Sequence, residues 1–129
     1  MTTNSQLTVA LHALGHLAAS DERAMSSAEL AECAGTNPVV IRRTLGILRE
    51  AGLVEAERGR SGGWSLGREA SAITLADIHA ALSAPAPRRV ATPECRIAGT
   101  MRARLDAALT RADASMRREL DRTTLADLV

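Results

Sequence analysis

Lysine, phenylalanine and tyrosine are missing from this 129-residue sequence, and one tryptophan is its only aromatic residue. A core without large rings must be filled by Leu, Ile, Val, Ala and Met, which suits close-packed helices. Only Trp64 is left to line an aromatic pocket, and no nucleophile elbow, paired-cysteine signature or phosphate loop occurs, so the chain does not read as an enzyme. Two cysteines, Cys33 and Cys95, cannot define a disulfide framework. No apolar run approaches membrane-spanning length, and Met1 to Gln6 lacks the cationic start of a signal peptide. The expectation is a cytoplasmic protein with no membrane partner.

Net charge is only +1, which excludes a polycation. All 16 basic residues are arginine, and the alanine-rich composition points to a GC-rich genome, so arginine abundance alone proves nothing. Distribution is more informative. Between Val39 and Arg68 stand six arginines against three glutamates, the local imbalance of a nucleic-acid face.

A chain this long is one domain by size. Leu7, Leu11, Leu14 and Leu17/Ala18 give residues from about Asn4 to Ser20 a helical stripe. Ser26-Ser27-Ala28-Glu29 has the form of a capping box, so a short helix starts near Ser27 and stops at Gly35. Asn37 and Pro38 then open a second helix, with Val40, Ile41, Leu45, Leu48 and Ala51 on its buried stripe and Gly52 closing it. Val39, Arg42, Arg43, Gly46 and Arg49 fall on other faces. Two β-capable runs follow, residues 53–57 and 64–66, around Arg58-Gly59-Arg60-Ser61-Gly62-Gly63. Glycines 59, 62 and 63 permit positive φ and remove side-chain bulk, while Arg58 and Arg60 place planar cations at the tip. Helix, turn, helix and arginine–glycine hairpin, in that order, make a winged helix-turn-helix.

Thr74-Leu75-Ala76-Asp77 reads as another capped start, with a helix to about Leu82. Ser83 to Arg89 is proline-containing and linker-like. After Pro93 comes the longest helical pattern, with Ile97, Met101, Leu105, Leu109 and Met116 on an apolar stripe between arginines and carboxylates. A compact winged helix does not need so long a helix for its own core, so this stripe is the expected homodimer seam. No internal repeat is evident. The fold class is mainly α with a small β-hairpin wing: a winged-helix DNA-binding domain over residues 1–82, a linker over 83–92, and dimerisation helices over 93–129.

The runs Ser27-Ala28-Glu29-Leu30-Ala31, Thr36-Asn37-Pro38-Val39-Val40-Ile41-Arg42-Arg43, Leu48-Arg49-Glu50-Ala51-Gly52-Leu53-Val54 and Arg58 to Leu66 together resemble the Rrf-two family of bacterial winged-helix regulators. Ala-Gly-Leu-Val followed by Arg-Gly-x-x-Gly-Gly-aromatic is a fairly specific pairing for that family. Ile73 to Ile78 and Thr123 to Leu128 look like its later helix starts, so the resemblance covers nearly the whole chain. The Asn-Pro-Val-Val-Ile-Arg-Arg helix looks closest to the cluster-free, YwnA-type branch. The resemblance implies sequence-specific binding of double-stranded DNA by a homodimer, acting as a repressor, with Ser27, Thr36, Asn37, Pro38, Val39, Arg42 and Arg43 near bases and phosphates. Arg58, Arg60, Ser61, Gly62 and Gly63 would contact the flanking groove. Alternatives are a winged-helix protein–protein module, or a thiol or iron–sulfur redox sensor.

Iron–sulfur members of the family carry grouped cysteines where this chain has Cys95 alone, and one thiolate cannot supply the usual cluster ligation. No cofactor and no metal are expected. Cys95 remains a candidate single-thiol redox sensor, because Arg96 and a nearby helix start would lower its pKa, or else an ordinary cysteine. Cys33 is expected to face inward as a small core residue. His12 and His16 are four apart on one helix but lack a third ligand. Trp64 is expected to pack the wing strand against the domain. No effector can be named from the sequence.

Overall fold

The computed structural model describes residues 5–20, 23–57, 62–83 and 96–129. Helix α1 (Ser5–Ala19) is followed by α2 (Ser27–Ala34), α3 (Pro38–Glu50), strands β1 (Val54–Glu57) and β2 (Gly63–Leu66), a 3₁₀ turn (Ala70–Ala72), α4 (Leu75–Leu82), the long α5 (Arg96–Leu120) and the short α6 (Leu125–Leu128). Helix α1 is the hub, packed against α2, α3, α4, α6 and β2. Its deepest residues are Ala10, Ala13, Leu14 and Leu17, while Leu7 and Leu11 are only partly buried. Alanine takes the inner positions expected for leucine because neighbouring helices approach most closely where side chains are smallest.

Local signals fix the helix-turn-helix. Ser26 caps α2, its Oγ accepting from the Glu29 N–H at 3.1 Å. The reciprocal half of the expected box is not made, since Glu29 reaches Arg23 instead, at 3.5 Å between exposed side chains. Gly35 takes φ 68° and ends α2, with the Thr36 N–H donating to the Ala31 carbonyl at 2.9 Å. Two residues later Asn37 caps α3 through Oδ1 and the Val40 N–H at 3.1 Å, with Pro38 in the first turn. At the far end Gly52 (φ 78°) and Leu53 return hydrogen bonds to the Arg49 and Leu48 carbonyls. Leu53 and Val54 then enter the core at 1 % exposure. Ala51, expected on the buried stripe, is an exposed cap residue, because the chain is already leaving the helical path there.

Strands β1 and β2 are antiparallel, Val54 opposite Leu66 and Glu57 opposite Gly63. Met25 adds a short third rung to β2: its N–H donates to the Trp64 carbonyl at 3.0 Å, and the Trp64 N–H returns a bond of 2.7 Å. A Cβ on Gly63 would lie 2.5 Å from the Met25 carbonyl oxygen, so glycine is required there by close backbone approach. Positive φ is not the reason, since Gly63 does not adopt it, unlike Gly35 and Gly52.

The sequence Thr-Leu-Ala-Asp occurs twice, at 74–77 and 124–127, and the structure sets the two copies side by side. Each begins a helix with a complete capping box, Thr74 with Asp77 and Thr124 with Asp127. The Leu75 N–H donates to the Thr123 carbonyl at 3.0 Å, and the Leu125 N–H to the Ile73 carbonyl at 2.7 Å. Leu125 is fully buried in the same core as α1 and Ile73. Helix α6 therefore packs with the N-terminal elements instead of extending the long helix that precedes it.

Helix α5 is different in kind. It is 25 residues long, and none of them is buried. Ile97, Met101, Leu105 and Leu109 are 57–69 % exposed. Met116 and Leu120, toward its C-terminal end, are half-buried and share a groove with Ala76, His79 and Ala80 of α4. No helix among the described residues is long and apolar enough to cross a membrane.

Candidate nucleic-acid interface

Residues at positions i, i+3, i+4 and i+7 of a helix share one face. On α3 that rule groups Val39, Arg42, Arg43 and Gly46, with Arg49 and Glu50 continuing the strip. Opposite them Ile41, Thr44, Leu45 and Leu48 are at most 2 % exposed. The buried face pins the helix and turns the other outward. Val39, Arg42, Arg43 and Arg49 are exposed, and among the described residues none of these arginines enters an ion pair. Outside α5 and the last two residues, Val39 is the one large apolar side chain among the described residues that stands exposed, at 55 %. A Cβ built on Gly46 would find nothing within 4 Å.

The remaining candidates divide by what else they do. Asn37 is committed as a cap, and Pro38 and Thr36 are half-buried at the entry to α3. Ser27 was assigned to DNA by resemblance, and its Oγ accepts a hydrogen bond from Trp64 Nε1 at 3.0 Å. That bond joins α2 to the base of the wing and agrees with the packing role expected of Trp64. Gly62 and Gly63 are half-buried at the start of β2. Arg58, Arg60 and Ser61 lie outside the described residues, as does Cys95.

Sequence reasoning missed two features of this surface. The Ser27–Trp64 bond joins residues 37 positions apart, a separation that no local pattern reveals. The openness of Gly46 had a visible signal, since glycine in a helix interior costs about 1 kcal/mol relative to alanine.

Among the described residues no group of three or more His, Cys, Asp or Glu side chains is placed to hold an ion. Cys33 is exposed rather than inward-facing, because the buried face of the short α2 is taken by Leu30 and Ala31. His12 is exposed and His16 half-buried, and among the described residues they form no group of three with another His, Cys, Asp or Glu.

Two short helices joined by a left-handed glycine, a capped second helix with a free arginine face, and a hairpin anchored beside it define a winged helix-turn-helix protein. The particular family follows from comparison. Residues 3–129 match the model of the Rrf2 family, described as iron-dependent transcriptional regulators, and the chain belongs to that family. Among solved structures it is similar to IscR of T. potens (25% identity, 99% of this chain and 85% of that one, TM-score 0.73). It is also similar to CymR, described as the global cysteine regulator of B. subtilis (28% identity, 99% and 95%, TM-score 0.71). A transcriptional regulator from Lactobacillus plantarum superposes with a TM-score of 0.76 at 27% identity, over 95% of this chain and 86% of that one. The iron named in the family description finds no donor set among the described residues.

Proposed function

We propose that this protein is a homodimeric, cluster-free repressor that binds an inverted-repeat DNA operator. The observation that carries the reading is the exposed arginine strip of α3, without an ion pair among the described residues, opposite a buried face. Helix α3 enters the major groove, with Arg42 or Arg43 reaching a guanine edge and Thr36 and Asn37 at the phosphate rim. The wing, through Arg58, Arg60 and the backbone of Ser61 to Gly63, follows the flanking groove. The apolar strip of α5 pairs with its counterpart in a second copy, which sets two heads on successive half-sites. Support for a cluster-free protein comes from its two cysteines, which lie far apart in the sequence. Protein purified without oxygen should be colourless, and a brown preparation with stoichiometric iron and sulfide would move it to the cluster-bearing branch.

The test is a mobility-shift titration against the region upstream of its own gene, at several salt concentrations. Arg60→Ala should weaken binding similarly across sequences and lower the magnitude of the salt slope by about two for a symmetric dimer. Arg42→Ala or Arg43→Ala should change sequence preference, at about 1–3 kcal/mol per lost bidentate contact. Binding undetectable on genomic fragments at low salt, or indifferent to all three substitutions, would favour a protein–protein module.

A further inference from the structure

Two residues on the outer strip of α3, the exposed Val39 and the half-buried Gly46, are poor choices for a helix position that packs against nothing described. Val39 loses rotamer freedom in a helix, and Gly46 is the least favourable residue there apart from proline. Where packing does not decide, helix stability alone favours Ala, Leu, Arg or Glu. Among the described residues no side-chain packing decides at either site. Val39 is 55 % exposed, and a Cβ on Gly46 would meet open space. Gly46 also has no positive φ to account for it. Among the described residues, then, neither choice is explained by a contact within the chain.

They lie seven positions apart, two turns along the same face, with Arg42 and Arg43 between them. Their properties complement each other. Valine is short, so it touches a neighbouring surface only where the helix backbone comes close. Glycine removes the side chain that would hold the helix away one and two turns later. An arginine has the length to reach a base edge from a greater distance, but Val39 has not.

We propose that Val39 reads the C5-methyl group of a thymine in each operator half-site, and that Gly46 supplies the clearance that lets α3 lie close enough for this contact. Thymine is the one base whose major-groove edge offers a methyl group, so a small apolar side chain among guanidinium groups selects it over cytosine without any hydrogen bond. Charge complementarity favours DNA as the occupant, because Arg42, Arg43 and Arg49 outnumber the single carboxylate of the strip, Glu50. The inference rests on the DNA-binding reading above and deepens it.

The experiment uses the full-length protein. An operator is first enriched from random duplexes, and each thymine is then replaced singly by deoxyuridine, which removes only the methyl group. One thymine per half-site should show a loss of about fourfold in affinity, the worth of one buried methyl group. Val39→Ala should bind more weakly and be indifferent to that replacement. Gly46→Ala should melt at the same temperature as the parent or higher, yet bind the operator at least several-fold more weakly. Uracil scanning that leaves affinity unchanged at every thymine, or a methyl effect that persists in Val39→Ala, overturns the methyl contact and leaves the regulator reading intact. Gly46→Ala that binds as tightly as the parent overturns the close approach. Failure to enrich any sequence overturns both this assignment and the regulator reading.

Discussion

The N-terminal head and helix α5 are built from the same aliphatic residues and treat them in opposite ways. In the head, Leu14, Leu30, Ile41, Leu45, Leu48, Leu53, Ile73, Ile78 and Leu125 are at most 1 % exposed. Along α5, Ile97, Met101, Leu105 and Leu109 stand more than half exposed. Both regions show helical periodicity, so periodicity alone does not say whether a stripe belongs to a core or to an interface. Neighbours in the sequence decide it. The head supplies several short amphipathic elements that cover one another, whereas α5 is longer than anything available to cover it. An apolar strip of this length facing water is the basis for the proposed dimer seam.

The contrast can be broken most sharply on α5. Replacing Met101 and Leu105 with Glu should remove association almost entirely, because paired copies would have to bury like charges at a cost of several kcal/mol, roughly the cost of an unpaired buried charge. Sedimentation should show monomers, and operator affinity should fall steeply. The melting temperature of the head should hardly move, since neither side chain is buried within the chain. A double mutant that remains dimeric would remove α5 from the interface.

In the head the same kind of change acts on folding. Leu125→Ala opens a cavity beside α1 and Ile73 and should lower unfolding free energy by about 2–5 kcal/mol, measured by urea titration. Leu105→Ala should cost well under 1 kcal/mol in a monomer, as expected of a surface position. Equal losses at the two sites would erase the distinction between core and seam.

Smaller effects sharpen the head itself. Gly63→Ala drives a methyl group onto the Met25 carbonyl and should cost about 1–3 kcal/mol through strand displacement. Ser27→Ala removes the acceptor for Trp64 Nε1 and should cost about 0.5–1.5 kcal/mol. Trp64 is the only tryptophan, so its fluorescence emission reports both changes directly. Unaltered emission in Ser27→Ala would mean that the bond does not position the ring.

Much of this was legible in the sequence because short-range chemistry wrote it. Asn37-Pro38, Gly35, Gly52 and the two Thr-Leu-Ala-Asp segments act over a few residues, and all stand where local rules put them. The long-range terms were not legible. Nothing near Met25 announces that it will become a strand neighbour of Trp64, and nothing near Thr124 announces a partner at Thr74. Cys33 was misplaced because an eight-residue helix buries only a narrow face, and leucine outcompetes cysteine for it. Of the candidate interface, the α3 strip could be read from spacing, while Ser27 turned out to be engaged by the tryptophan of the wing.

The latch at Thr74 and Thr124 makes α5 a lever with a fixed pivot. Its C-terminal end is held where α6 enters the head, and Ile97, near its far end, lies about 35 Å away at 1.5 Å per residue. Each degree of play at the pivot therefore becomes about 0.6 Å of travel at the far end, by the same helix geometry. Two such levers crossing in a dimer would convert angular stiffness at Leu125 into the distance between two recognition helices. In the proposed dimer, tolerance for half-site spacing would then be a mechanical property of a four-residue helix outside the helix-turn-helix.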